Sequence, residues 1–264
     1  MQKFNYHTHT YRCGHAEKMD DEEFVKLFVK KGFTKIAFTD HCPEKNLIDV
    51  RERMRMKYSE KDEYLKSIKN LKEKYKDIIQ IESGFEIEYL PDQENNLFEL
   101  KEETDKLILG QHFIYDDEKN LKIFRREKFS DKELLRYAEY VKTAIEKGLP
   151  DIIAHPDIYM LGSDKFGDIE EKVANIICST AEKYGVPIEI NLSDPCLYLR
   201  NKRDSIRYPC KEFWKVAANY KKLKVLYGID AHWREQIELC EKSVEVANNH
   251  IGHEIIEKLN FCKE

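Results

Sequence analysis

Residues Thr34–His41, TKIAFTDH, set Ile36, Ala37 and Phe38 side by side with no polar residue between them, and end on a histidine. A strand with one wet face alternates apolar and polar residues, whereas an unbroken apolar run suits a strand covered on both faces, as in a parallel sheet. Six other short runs read the same way: KFNYH (3–7), IIQIESGFEIEY (78–89), KLILGQHF (106–113), DIIAHPD (151–157), PIEINLS (187–193) and KVLYGIDAH (224–232). Seven strands are therefore expected.

Helical patterns fill the gaps. In the clearest, Ser130 and Glu133 form a capping box, Leu134, Ala138, Val141 and Ile145 make an apolar stripe, and Gly148 then Pro150 stop the helix. Residues 20–32, with Phe24, Leu27 and Phe28 inward, and 59–75, with Leu65, Ile68 and Leu71 inward, follow the same logic. Further helices are expected over 168–184, 210–222 and 235–248. Strand alternating with helix without a break predicts an α/β fold, a closed or nearly closed barrel of parallel strands, in one domain spanning 1–264.

The chain has 264 residues, 45 basic and 50 acidic, for a formal net charge of −5. That balance carries no basic footprint for nucleic acid. No segment approaches the ~20 apolar residues of a membrane span, and a cytoplasmic protein is expected. The seven cysteines lack CxxC spacing and read as free thiols, with Cys13 and Cys42 close to histidines but most simply small apolar fillers. No glycine-rich phosphate loop or GxSxG elbow is present.

Seven of the nine histidines lie at or just beyond a strand's C-terminal end: His7, His9, His15, His41, His112, His155 and His232. His7 and His9 stand two apart in extended backbone, so both imidazoles face one way. In a parallel barrel all these ends open on one face, where such folds collect catalytic residues. A single strand-end histidine is ordinarily a hydrogen-bonded structural residue, but seven together require a partner that satisfies them all. With Asp40, Glu86 and Asp230 at the same ends, the set points to two or three divalent ions. His250 and His253 fall outside the pattern.

The ordered pieces HTH, His15, TDH, GFEIEY, GQHF, AHPD and GIDAH resemble the PHP superfamily (polymerase and histidinol phosphatase) over nearly the whole chain. The stretch 53–75 running into IIQIESGFEIEYLPD resembles its stand-alone histidinol-phosphate phosphatases. The resemblance implies a distorted seven-stranded (βα)7 TIM-like barrel with three metal ions at the C-terminal face of the strands. The first ion would take His7, His9, Glu86 and Asp230; the second would share Glu86 and add His112 and His155; the third would take His15, His41 and His232. Spacing does not separate Glu86 from Glu88, two residues on, and the family pattern favours Glu86. Zinc, manganese and iron(II) all suit such a set.

The implied activity is hydrolysis of a phosphate monoester, L-histidinol phosphate to L-histidinol, in histidine biosynthesis, with a small-molecule substrate and no membrane or nucleic-acid partner. Asp230, His232 or Asp40 would protonate the leaving group, Asp40 also orienting a ligand. The chain departs from the subfamily's two phosphate-gripping arginines. Arg200 or Arg207 is expected to replace one and Lys165 the other, and Asn191 either contacts substrate or caps its strand. Two alternatives stand beside this reading: a PHP phosphoesterase acting on phosphotyrosine or a nucleotide, and a non-catalytic metal-binding module.

Overall fold

The computed structural model describes residues 2–43, 54–124 and 127–263. Its strands are β1 (Phe4–Asn5), β2 (Lys35–His41), β3 (Gln80–Ile87), β4 (Lys106–Leu109), β5 (Phe113–Tyr115), β6 (Leu121–Ile123), β7 (Ile152–Ile153), β8 (Ile188–Asn191), β9 (Lys224–Gly228) and β10 (Asn260–Phe261). The helices include α1 (Asp21–Lys30), α2 (Lys61–Lys74), α3 (Glu94–Glu103), α4 (Asp131–Glu146) and α5 (Asp168–Tyr184), followed by the short α6 (Ser193–Leu199), α7 (Lys211–Ala217) and α8 (Arg234–Glu238) and the longer α9 (Cys240–Ile251).

Eight strands pair in the order β1-β2-β3-β4-β7-β8-β9-β10, every neighbouring pair parallel. Seven were expected. The eighth, β10, is two residues long and carries no apolar run that a sequence reading could detect; it lies against the lower half of β9, Phe261 opposite Val225. The upper half of β9 turns to the N-terminal segment instead. Thr8 bridges Ala231 in parallel, Gln2 exchanges hydrogen bonds with the Tyr227 backbone, and Asn5 Oδ1 accepts from Ile229 N. The sheet is thus curled, with its two ends joined by one backbone bridge and two side-chain amides that stand in for a ladder.

The unbroken apolar runs are explained by two cores. Ile36, Phe38, Leu107, Leu109 and Val225 face the helices, while Phe4, Ile108, Ile152, Ala154 and Leu226 fill the inside of the curl. The α4 capping box is present, Ser130 accepting from Glu133 N and Glu133 from Ser130 N, and Leu134, Ala138, Val141 and Ile145 are all buried against α5 and the sheet. Full burial of each such Leu, Val or Ile is worth about 1.5–3 kcal/mol. The run at 106–113 breaks at Gly110, so His112 leaves β4 and the chain turns into the antiparallel β5–β6 hairpin. No helix among the described residues is long and apolar enough to cross a membrane.

Candidate metal centre

In β3 the apolar Ile81, Phe85 and Ile87 pack toward the helices, so Glu82, Gly84, Glu86 and the following Glu88 point inside the curl. Glu86, buried, is the hub. Its Oε1 lies 2.8 Å from His155 Nε2, 3.6 Å from His7 Nε2 and 3.8 Å from His112 Nε2. Its Oε2 lies 2.8 Å from His41 Nδ1 and 3.6 Å from His9 Nε2. Asp230 Oδ1 faces the same space, 3.2 Å from His9 Nε2 and 3.5 Å from His7 Nε2.

Several groups of three bring their ligand atoms within 4.8 Å of one another: His7, His9 and Asp230; His7, Glu86 and His155; His9, His41 and Glu86; His15, His41 and His232. The His112 ring lies 4.7 Å from that of His155 and 5.6 Å from that of His41. All nine residues read from the sequence as ligands therefore converge. Cys13 also enters, its thiol grouped with His9 and His232. All seven cysteines are free thiols.

Backbone strain marks two of these positions. His155 has φ 30° and Asp230 φ 52°. A non-glycine residue held in the left-handed region costs on the order of 1–3 kcal/mol and persists only where its surroundings fix it.

A ring of outer partners fixes the imidazoles. His7 Nδ1 meets Glu189 Oε2 at 2.9 Å, and Glu189 in turn accepts from Asn191 Nδ2 at 2.8 Å. His112 Nδ1 meets Glu88 Oε1 at 2.8 Å, so the second carboxylate of GFEIEY orients a histidine while the first takes the centre. Gln236 accepts from His232 N and donates to the Asp230 carbonyl. Asp40 is fully buried and turned toward the helix side of β2, where its Oδ2 accepts from the Thr10 N and hydroxyl, its Oδ1 accepts from His41 N, and Oδ1 lies 3.6 Å from His9 Nδ1. Glu189 and Gln236 were missed by the sequence reading. The signal for Glu189 was available: polar residues, Glu189 and Asn191, alternate with the isoleucines of β8, as glutamates do with apolar residues in β3.

The electrostatics call for cations. His7 Nε2, both ring nitrogens of His9 and His232 Nε2 are buried without a hydrogen-bond partner, each an arrangement costing about 1–3 kcal/mol. Burial would lower the pKa of His9, and Asp230, Asp40 and Glu86 outweigh it, raising it to about 9. Burial would raise Glu86, and His41, His7 and His112 hold it well below the usual carboxylate range. His232 is pushed down to about 4 by burial and the adjacent His9. Buried carboxylates among imidazoles with unspent nitrogens fit divalent ions of the zinc, manganese or iron type.

A family model for the PHP domain matches residues 5–193. The chain belongs to the PHP-domain family. It is 27% identical over 124 residues to the histidinol-phosphatase of Bacillus subtilis, a match covering 44% of this chain and 46% of that protein, or about half its length. It is 23% identical over 235 residues to a Deinococcus radiodurans relative also assigned as a histidinol-phosphatase, covering 86% and 85% of the two chains. Two solved structures share the fold. Listeria monocytogenes hisK aligns at TM-score 0.72 and 21% identity over 89% of this chain and 97% of that one. The histidinol phosphate phosphatase of Lactococcus lactis, complexed with zinc, L-histidinol and phosphate, aligns at TM-score 0.66 and 18% identity over 93% and 94%.

In this PHP domain a cavity opens onto the cluster, with His15, His41, Glu86, His112, His155, Asp230 and His232 at its base. Asp194, Leu197, Arg203, Arg207, Tyr208 and Trp233 stand among its walls. Arg207 reaches it, held by buried Asp194, which accepts from Arg207 N at 3.0 Å and Nη2 at 3.2 Å. Arg203, which the sequence reading passed over, lines it too, its Nε 3.6 Å from Asp194 Oδ1. Arg200 does not line it: one residue past α6, it turns away to Glu235 at 3.2 Å. Lys165 lies exposed in the loop before α5, outside the cavity. Asn191 is buried beneath the cluster and does not line the cavity: its Nδ2 donates to Glu189 at 2.8 Å and to Asp230 Oδ2 at 3.3 Å, and its Oδ1 accepts from Ser193 N at 2.9 Å, capping the end of β8.

Proposed function

We propose that the protein is a metal-dependent phosphate monoester hydrolase that converts L-histidinol phosphate to L-histidinol and phosphate. The observation that carries this reading is the Glu86 carboxylate, buried and within 4 Å of five histidine nitrogens at the base of a cavity walled by two arginines. The names of the Bacillus and Deinococcus relatives support the substrate.

Three divalent ions would be held by His7, His9, Asp230 and Glu86, by Glu86, His112 and His155, and by His15, His41 and His232. When bound they would supply Lewis-acid charge that lowers the pKa of water toward neutrality and offsets charge on phosphoryl oxygens. Arg203 and Arg207, anchored on Asp194, would present guanidinium N–H groups to the phosphate. Glu189 and Glu88 face Nδ1 of His7 and His112 and would hold each ring with Nε2 turned toward Glu86. Of the three candidates to protonate the leaving alkoxide, Asp230 and His232 face the cavity and Asp40 lies behind His9. Asp230 and His232 would be the groups close enough to handle that proton, and Asp40 would orient His9.

The test is phosphate release from L-histidinol phosphate beside phosphotyrosine, a nucleoside monophosphate and p-nitrophenyl phosphate, with protein loaded separately with zinc, manganese and iron(II). Preference for histidinol phosphate, lost in Glu86→Gln, supports the reading. Preference for phosphotyrosine or the nucleotide removes the substrate, and no hydrolysis at all favours the non-catalytic module.

A further inference from the structure

Arg12 stands between HTH and His15 in the sequence and is almost fully buried, 8% exposed, without touching the metal cluster. Its guanidinium is spent on four groups. Nη1 donates to both oxygens of Asp21 on α1, at 2.9 and 3.0 Å, and Nε and Nη2 donate to Glu63 on α2, at 2.9 and 3.1 Å. The plane also lies over the rings of Tyr11 and Tyr64, 4.6 and 5.7 Å from their centroids. A staple between two helices would stop there. Nη1 further donates to Thr10 Oγ1 at 3.2 Å, and that hydroxyl donates onward to Asp40 Oδ2.

Asp40 is the residue whose other oxygen accepts from His41 N and faces His9 Nδ1. Its own backbone is held from the same side, because the Tyr64 hydroxyl accepts from Asp40 N at 3.3 Å and donates to Gly84 O at 3.0 Å. Helices α1 and α2 therefore reach the His41 backbone through one connected set of hydrogen bonds that also sets the Asp40 oxygen facing His9 Nδ1 at 3.6 Å, and Arg12 supplies the positive charge that balances buried Asp40, Asp21 and the nearby Glu63. We infer that Arg12 is a positioning residue of the metal centre, acting through Thr10 and Asp40 to fix His9 and His41. This rests on the reading of the cluster as a metal site.

The experiment measures zinc affinity by chelator competition, and melting temperature alongside it, in the wild type and in Arg12→Met, Thr10→Val, Asp40→Asn, the double variant Arg12→Met with Asp40→Asn, and Leu71→Ala. Leu71 is buried on α2 outside the hydrogen-bonded set and reports plain destabilisation. Arg12→Met and Thr10→Val are each expected to weaken zinc binding about 10- to 100-fold, the usual effect of removing an outer partner of a ligand. The Arg12 effect should largely vanish in the Asp40→Asn background, and Leu71→Ala should melt earlier with unchanged affinity. Thr10→Val leaves the helix ion pairs in place, so it carries the test if Arg12→Met does not fold. Wild-type affinity in Thr10→Val, or losses from Arg12→Met and Asp40→Asn that simply add, overturn the inference while leaving the metal centre standing. A wild-type protein that takes up no zinc overturns both.

Discussion

Gly110 and Glu86 meet so closely that a Cβ on residue 110 would lie 1.8 Å from Glu86 Oε1. The glycine after β4 is what lets the hub carboxylate occupy the middle of the cluster. Gly110→Ala should displace Glu86, cut bound metal and lower phosphate release about 10- to 100-fold, an effect of the size seen when a ligand's setting is disturbed. Metal analysis with a circular dichroism spectrum checks it: native-like secondary structure with reduced metal is the expected pair, and full metal content would show that Glu86 is not the hub.

Glu189 fixes His7 from below. Glu189→Gln keeps shape but removes the charge facing His7 Nδ1, and an about 10- to 100-fold loss of zinc affinity is expected. Calorimetric titration measures this. An unchanged affinity would mean that packing alone orients His7.

Zinc binding should release protons at pH 7. Burial would lower His7 and His9, but the surrounding carboxylates hold His7 well above the ordinary histidine value and bring His9 to about 9. Both are therefore protonated in the metal-free protein at pH 7 and must lose the proton to ligate. His41, well below the ordinary value, and His232, at about 4, are already neutral and release nothing. Apparent zinc affinity should then rise with pH up to about 9, and binding heats should depend on buffer ionisation enthalpy. Heats identical in all buffers would contradict this.

The cavity divides the four cations of its neighbourhood. Arg203→Ala and Arg207→Ala should raise KM for a phosphate ester about 10-fold or more each, since a charge-assisted hydrogen bond contributes about 1.5–3 kcal/mol. Arg200→Ala and Lys165→Ala should leave kcat and KM unchanged, with stability within about 0.5 kcal/mol, as for most surface substitutions. Steady-state kinetics on all four variants decides the assignment, and an activity loss in Lys165→Ala would bring that loop back into the site.

The strands and the convergence of the histidines and carboxylates were legible because each is written in short-range pattern. Continuous apolar runs come from a sheet with a filled interior and a helix-covered exterior, and the histidines follow those runs directly. The short β10 and the Gln2 and Asn5 amide bridges carry no such pattern, since they depend on which ends the curl brings together. Glu189 carried the period-2 signal and was overlooked; Gln236 had none. Lys165 and Arg200 were assigned by position along the chain, whereas the direction of each side chain is set by local turns: Arg200 leaves α6 toward Glu235, and the cations that line the cavity come three and seven residues later, at Arg203 and Arg207.

The metal centre is tested most directly by a crystal structure of the zinc-loaded protein with anomalous scattering recorded at the zinc edge. Three peaks are expected, two of them sharing Glu86 and the third among His15, His41 and His232. A single peak, or peaks that leave Glu86 without a metal, would contradict the cluster as described.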